Sequence, residues 1–104
     1  MSDDNEYFPI GTATISWVDS KGNSYQRVYS TDGYKAIEWA KDETGNWTQT
    51  DFSAAAGQIS ATVCVIKDEP FISVICTTQN QTSEWCQSAN GAWEQGAYVY
   101  PPKS

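Results

Sequence analysis

One segment of this 104-residue chain occurs twice, and no gap is needed to align the two copies. The first copy spans residues 27–52 and the second spans residues 73–98. The identical pairs are Val28/Val74, Thr31/Thr77, Glu38/Glu84, Trp39/Trp85, Gly45/Gly91, Trp47/Trp93 and Gln49/Gln95. A repeat of about 40–50 residues indicates a supersecondary unit that cannot bury its apolar faces alone and stacks on a neighbour.

Short strand-like runs alternate with turn residues in both copies. The expected strands are residues 12–18, 24–30, 35–40 and 47–52 in the first copy, and 58–66, 71–77, 82–86 and 92–98 in the second. Their regular spacing and the short turns between them predict antiparallel hairpins, and no stretch has the period of an amphipathic helix. The pattern therefore predicts an all-β chain with four strands in each copy.

A four-stranded antiparallel sheet of about 45 residues has the size of a β-propeller blade. We expect an N-terminal acidic, flexible arm (residues 1–11), two blades (12–57 and 58–100) and a short tail (101–104). Two blades cannot close a ring, whereas three such chains would give six. A β-sandwich is the alternative, although a sandwich does not require one half to repeat the other.

The charge balance limits the possible partners. Six basic and 13 acidic residues give a net charge of −7, which disfavours nucleic acid and anionic membranes because both are bound through Lys and Arg. No apolar run approaches the length of about 20 residues that a membrane span needs. The N-terminal residues resemble no cleaved signal peptide, so we expect a cytoplasmic protein or one exported without such a signal.

The sequence offers little for catalysis. There is no histidine, no nucleophile motif, no glycine-rich phosphate loop and no metal-ligand spacing, so we expect neither enzymatic activity nor a cofactor. The three cysteines, Cys64, Cys76 and Cys86, have no metal-binding spacing and lie in apolar runs. We expect them to be buried, reduced thiols.

Binding is better supported by the residues present. Arg27 and Glu38 fall on neighbouring strands of one blade, and Trp47 and Trp93 recur at equivalent blade ends. A tryptophan covers the apolar side of a sugar while a guanidinium and a carboxylate bond its hydroxyls, which favours a neutral carbohydrate ligand. Trp39 and Trp85 recur in the same way, but we expect these two to be core residues. The alternative reading of the charged pair is that it is purely structural.

Several motifs, taken together, resemble one lectin family. They are RVY (27–29) with Glu38 eleven residues further on, SATVC (60–64), SEWC (83–86) and WEQGAY (93–98). Over residues 12–100 the chain is similar to the Aleuria-type fucose-specific lectins, and within them to the short two-repeat bacterial members. The resemblance implies a six-bladed β-propeller formed by a homotrimer, which binds fucosylated glycans in metal-free pockets between adjacent blades.

The resemblance also assigns site residues. In the first pocket they would be Arg27, Glu38, the backbone near Asp51, and Trp93 from the second blade. In the second pocket they would be Glu84, the backbone near Ala97, and Trp47 from a neighbouring chain.

Both copies depart from the family pattern. In the second copy Ser73 stands where the family has arginine and Ile75 where it has tyrosine. A second tryptophan of the family is replaced in both copies, by Lys41 in the first and by Gln87 in the second, so we expect a smaller apolar wall in both pockets. Loss of one charge-assisted hydrogen bond costs about 1.5–3 kcal/mol, so we expect two unequal pockets. The alternative function is a degenerate propeller that serves as an oligomeric scaffold or protein-interaction module without binding sugar.

Overall fold

The computed structural model describes residues 7–102, and all of the regular secondary structure in that span is β-strand. The strands are β1 (Gly11–Val18), β2 (Ser24–Thr31), β3 (Lys35–Lys41), β4 (Trp47–Ala55), β5 (Gln58–Ile66), β6 (Glu69–Thr77), β7 (Thr82–Ser88) and β8 (Trp93–Tyr100). They form two antiparallel four-stranded sheets, β1-β2-β3-β4 and β5-β6-β7-β8. The predicted all-β architecture with four strands in each copy is confirmed. No helix long and apolar enough to cross a membrane occurs in the described residues.

Two hairpins of the first sheet have the same loop chemistry. In the β1–β2 loop the Asp19 carboxylate accepts two backbone N–H groups at 2.9 Å, and in the β3–β4 loop Asp42 does the same at 2.9 and 3.0 Å. Gly22 and Gly45 follow with φ of 84° and 91°, a backbone region that glycine enters without steric cost. Each loop is therefore fixed by one aspartate and one glycine.

The β5–β6 turn is tighter than the sequence pattern predicts. Lys67 and Asp68 alone form it, with φ of 52° and 66°, the positive values that a two-residue turn matching the strand twist requires. The predicted turn also included Glu69 and Pro70, but both belong to β6. A proline is tolerated near a strand end because its missing N–H interrupts little of the ladder.

The two sheets pack face to face and bury the core between them. Contacts are densest between β1 and β5 and become sparse toward the outer strands. The buried core consists of Ile15, Trp17, Tyr29, Ala36, Phe52, Ala54, Ala56, Ile72, Val74 and Cys76. Trp93 of β8 crosses to the first sheet, with its ring centroid 4.5 Å from that of Phe52 and 6.3 Å from that of Tyr29.

Each sheet has a second face that the chain itself leaves uncovered. The open face of the first sheet carries Trp39 and Trp47, which are 39% and 43% exposed. The open face of the second sheet carries Ser73, Glu84 and Tyr98, of which Tyr98 is 51% exposed. Because side chains alternate along a strand, these residues point away from the core.

The predicted N-terminal arm is partly fixed to the first sheet. Gly11 already belongs to β1, and the single O–H of Tyr7 lies between two acceptors, the carbonyl oxygens of Ser30 (2.6 Å) and Lys35 (2.8 Å). Residues 1–6 of the arm and residues 103–104 of the tail lie outside the described residues.

The cysteines differ in burial. Cys76 is buried, Cys86 is half-buried and Cys64 is exposed, so the expectation of buried thiols is wrong for Cys64. Strand alternation puts Cys64 on the open face of the second sheet, where no element of the chain covers it. Burial raises the pKa of the Cys76 thiol to about 11, which keeps it protonated and unreactive at neutral pH.

Candidate functional site

An ion pair lies at the interface of the two sheets. Arg27 on β2 and Glu38 on β3 are joined by a 2.8 Å contact from Nη1 to Oε2. The Glu38 side chain is 1% exposed and that of Arg27 is 13% exposed. A charge this deeply buried is stable only when it is paired and hydrogen-bonded, so the pair is a built feature and not a solvated surface contact.

Regular strand pairing places Glu38 beside Arg27. Glu38 pairs with Tyr29 across β2 and β3, so its side chain lies on the same face of the sheet as those of Arg27 and Tyr29. Opposite Glu38, the pairing of β3 with β4 shifts register between Ile37 and Trp39, and residues 50–52 of β4 face this single residue of β3. The same shift occurs opposite Glu84 in the second sheet, between Ser83 and Trp85. The repeat therefore contains an irregular segment of its last strand opposite the glutamate as well as the glutamate itself.

Two hydroxyl groups complete the surroundings of Glu38. The Tyr29 hydroxyl donates to Oε2 at 2.5 Å and the Thr50 hydroxyl to Oε1 at 2.6 Å. Burial, followed by the neighbouring Glu38 carboxylate, raises the pKa of Tyr29 above its ordinary value. Tyr29 therefore stays a hydrogen-bond donor to the carboxylate at any pH at which the protein is studied.

Replacing Tyr29 with phenylalanine is expected to lower the free energy of unfolding by about 1–3 kcal/mol, because a buried carboxylate loses one donor. Urea denaturation at fixed protein concentration measures the change. The matched control is Tyr34→Phe, since Tyr34 is 83% exposed and its loss of a hydroxyl should alter stability by less than about 0.5 kcal/mol. Equal effects of the two substitutions would contradict the role given to Tyr29.

Arg27 also connects the first sheet to the second. Its Nη1 donates to the side-chain oxygen of Gln87 (3.0 Å) and its Nη2 to that of Asn90 (3.2 Å). Asn90 lies in the β7–β8 loop with φ of 63°, a left-handed conformation that asparagine adopts more readily than most residues. The guanidinium is thus held by one strand of its own sheet and by the end of a hairpin from the other.

A cavity of about 400 Å³ opens beside this pair. Its lining residues are Arg27, Glu38, Thr50, Asp51, Phe52, Gln87, Asn90, Gly91, Ala92 and Trp93. We call it the first pocket. Asp51 is an exposed residue of the rim, and Trp93 is half-buried, with its indole packed on Phe52. Arg27, Glu38, Asp51 and Trp93, which the sequence assigned to one pocket, line the same cavity.

A second cavity, of about 370 Å³, adjoins the first and shares Arg27 and Asn90 with it. Its aromatic side is formed by Trp17 and Tyr25, stacked with ring centroids 5.5 Å apart. The Arg27 guanidinium carbon lies 5.5 Å from the centroid of the Trp17 ring, a distance at which a cation is attracted to the ring face. The two cavities form one groove between the sheets, divided by the Arg27 side chain.

The ion pair has hydrogen-bonding capacity to spare. A guanidinium has five N–H donors and a carboxylate about four acceptor sites. Within the described residues Arg27 makes three hydrogen bonds and Glu38 accepts three. About two donors and one acceptor remain for a ligand. Because the two charges cancel, the first pocket suits a neutral ligand with several hydroxyl groups.

The equivalent position in the second sheet is built differently. Glu84 accepts from the Ser73 hydroxyl at 2.6 Å and from the backbone N–H of Tyr98 at 3.3 Å. These hydrogen bonds, that of Ser73 first, hold the pKa of Glu84 below its usual value. This site, which includes the neighbouring Ala97, lies on the open face of the second sheet. We call it the second pocket, and it is separate from the second cavity beside Trp17 and Tyr25. Trp47, assigned to the second pocket by the sequence, lies on the opposite side of the molecule, on the open face of the first sheet.

The three residues that bond Glu38 are all replaced around Glu84, and of the replacements only Ser73 still donates to the glutamate. The positions of Arg27, Tyr29 and Thr50 are taken by Ser73, Ile75 and Gly96. A Cβ atom added to Gly96 would lie 2.4 Å from Glu84 Oε1, so the glutamate occupies the space that Thr50 fills in the first sheet. No cation lies within ion-pair distance of Glu84 among residues 7–102.

Several residues that bond the ion pair or line the first pocket were not assigned to it from the sequence: Tyr29, Thr50, Phe52, Asn90, Gly91 and Ala92. Tyr29 follows Arg27 by two positions on the same strand, so its side chain had to share a face with the arginine. Asn90 precedes a glycine, a turn signal that places it at a hairpin end. Gln87 was noted only as a replacement of a second tryptophan, and its contact with Arg27 depends on how one sheet packs on the other.

No group of three or more potential metal ligands is assembled in the described part of the chain. Comparison with known proteins adds no assignment: no protein-family model matches the chain, and no curated protein is similar to it.

Proposed function

We propose that the chain is a subunit of a metal-free lectin that binds L-fucose-containing glycans in the pockets between its sheets. The observation that carries the proposal is the buried Arg27–Glu38 pair at 2.8 Å, which opens onto a cavity with Trp93 as its apolar wall. The motifs that resemble the Aleuria-type lectins direct the choice of sugar. The net charge of −7 agrees with a neutral ligand.

The chemistry of the first pocket matches a deoxy sugar. Hydroxyl groups would accept from the unused N–H donors of Arg27 and donate to Glu38 or to Asp51 on the rim. The methyl group and the apolar ring face would pack on Trp93, because an indole is a large apolar surface with few hydrogen-bonding demands of its own. A few placed polar groups beside an apolar wall are the usual composition of a small-ligand site.

A glycan array read with and without free sugar tests the proposal. We expect signals on fucosylated glycans that disappear in the presence of free L-fucose and persist in the same concentration of D-galactose. Binding to no glycan, or binding that both sugars inhibit equally, would contradict fucose recognition. D-Galactose is the control because it is a neutral hexopyranose that carries a hydroxyl group on C6 and has the mirror-image ring configuration of L-fucose.

We further propose that three chains close into a six-bladed ring. The open face of each sheet exposes aromatic residues, Trp39 and Trp47 on the first and Tyr98 on the second. Their equivalents Trp85, Trp93 and Phe52 pack against the core within the chain. Exposed apolar patches of this kind are typical of protein–protein contacts, and self-association would repeat between chains the packing that one chain makes internally.

A scaffold without sugar-binding activity is the second candidate, and one observation favours it. Glu38 is 1% exposed and already bonded to Arg27, Tyr29 and Thr50. An ion pair of this kind would also suit a purely structural contact between sheets. The glycan array separates the two functions, since a scaffold gives no sugar-dependent signal.

A further inference from the structure

The interface inside the chain predicts which residues meet between chains. The inner face of the first sheet packs on the inner face of the second and places Arg27 against Gln87. The repeat offset makes Ser73 equivalent to Arg27 and Lys41 equivalent to Gln87. If a second copy packs in the same way, the open face of its first sheet lies on the open face of this chain's second sheet. Lys41 of one copy then lies against Ser73 of the other.

The residues at these positions compensate each other in size and charge. Within the chain a long side chain, Arg27, faces a shorter neutral one, Gln87. Between chains the order is reversed, because the short, neutral Ser73 faces the long, positively charged Lys41. Each arrangement provides one cation for one glutamate, Glu38 in the first case and Glu84 in the second.

Lys41 is already held in a suitable position. It is half-buried on the open face of the first sheet, with its ammonium nitrogen 5.9 Å from the centroid of the Trp47 ring. Trp47 is the equivalent of Trp93, the wall of the first pocket. The ammonium and the indole thus form a pair on the surface that would cover Glu84, which has no cation of its own in residues 7–102.

We propose that Lys41 of a neighbouring copy supplies the cation of the second pocket, so that the assembly contains two classes of sugar site. One class uses the guanidinium of Arg27 within a chain. The other uses the ammonium of Lys41 across two chains, together with Glu84 and Trp47. This inference rests on the proposed lectin function and ring assembly, and it gives the expected inequality of the two pockets a chemical form, an ammonium in place of a guanidinium.

The test counts sugar sites per chain by calorimetric titration with methyl α-L-fucoside, and sedimentation equilibrium measures the mass of the same samples. We expect two sites per chain in the wild type. Lys41→Gln should leave one, with less than a twofold change in affinity at the first pocket. Lys21→Gln is the control, because it removes the same charge from an exposed loop residue.

The double variant Lys41→Gln/Ser73→Arg provides the decisive arm. It rebuilds the second pocket with the arginine and glutamine of the first, so we expect two sites again. If Lys41→Gln lowers the mass as well, the double variant should restore both the mass and the second site. A loss that the double variant does not reverse would overturn the inference.

Three further outcomes distinguish a failure of this inference from a failure of the proposed function. A wild type with one fucoside per chain, or a Lys41→Gln variant that keeps two sites at unchanged affinity, would overturn the role of Lys41 and leave the first pocket intact. A wild type that binds no fucoside would overturn the lectin function, and this inference with it.

Discussion

Replacing Arg27 with alanine is expected to abolish fucose binding at the first pocket and to destabilise the fold at the same time. The substitution leaves the Glu38 carboxylate, 1% exposed, without its cation, and breaking a buried ion pair by removing one partner costs about 3–5 kcal/mol. Each charge-assisted hydrogen bond lost with the sugar is worth about 1.5–3 kcal/mol, roughly ten- to a hundredfold in affinity. Urea denaturation and fucose titration measure the two effects.

A second variant separates binding from folding. In Arg27→Met/Glu38→Gln the buried charge is removed together with its partner, and a neutral amide can keep its contacts with Tyr29 and Thr50. Replacing a whole buried pair is often close to neutral for stability, so we expect a folded protein in which the first pocket binds no fucose. Fucose binding by this variant at the affinity of the first pocket would refute the assignment of the pair.

Replacing Trp47 with glutamate is expected to convert a trimer into a monomer. Three chains of 11.5 kDa give a particle of about 35 kDa, which light scattering distinguishes readily from a single chain. The exposed part of the Trp47 side chain is about 100 Å², and its burial contributes roughly 2–3 kcal/mol at each contact between chains. A glutamate at this position removes the stabilisation that comes from burying the indole. Its carboxylate would also have to lose its hydration for the chains to associate.

The monomer should still bind fucose once per chain, because the residues of the first pocket all belong to one chain. It should lose binding to surfaces coated with fucosylated glycans, since linked sites raise the apparent affinity by about 10²–10⁴ when several engage together. Tyr34→Glu is the control, as Tyr34 is 83% exposed in a turn outside both open faces. A wild type that scatters light as a monomer at micromolar concentration would exclude the closed ring.

Local sequence features predict the strands well. The runs ending at Val18 and Ile66 are bounded by turn residues, and the structure ends β1 and β5 at these residues. The β5–β6 turn was predicted two residues too long, because Pro70 looks like a strand breaker. Its position near the start of β6 is compatible with a strand only because the neighbouring Lys67 and Asp68 complete the turn, which no propensity of lysine indicates.

The depth of the candidate site was less predictable. The sequence predicts that Arg27 and Glu38 form a ligand-binding pair on neighbouring strands. It does not show that Glu38 is almost fully buried, because its burial depends on the irregular segment of β4 opposite it and on the packing of another sheet. The contact from Arg27 to Asn90 joins residues 63 positions apart. Such a contact follows from the angle between the sheets, and local pattern carries no information about that angle.

The tryptophans illustrate the same limit. Trp39 and Trp85 are identical in the repeat, and both were interpreted as core residues. Trp85 does pack against the core, whereas Trp39 is 39% exposed. The repeat gives the two residues the same local environment, but the single chain supplies a covering sheet for only one of them.

The way the two sheets diverge has a geometric consequence for how further copies of the chain would assemble. The sheets meet closely at β1 and β5 and diverge toward the outer strands, so together they form a wedge. Copies added by the same contact would each repeat that wedge, and the curvature of the whole array would follow from it. A heterologous contact closes when its rotation divides a full turn and otherwise continues as a helical filament. Ala13 on β1 and Ala61 on β5 pack against the core where the two sheets are closest, so a larger side chain at either position would widen the wedge and change that rotation.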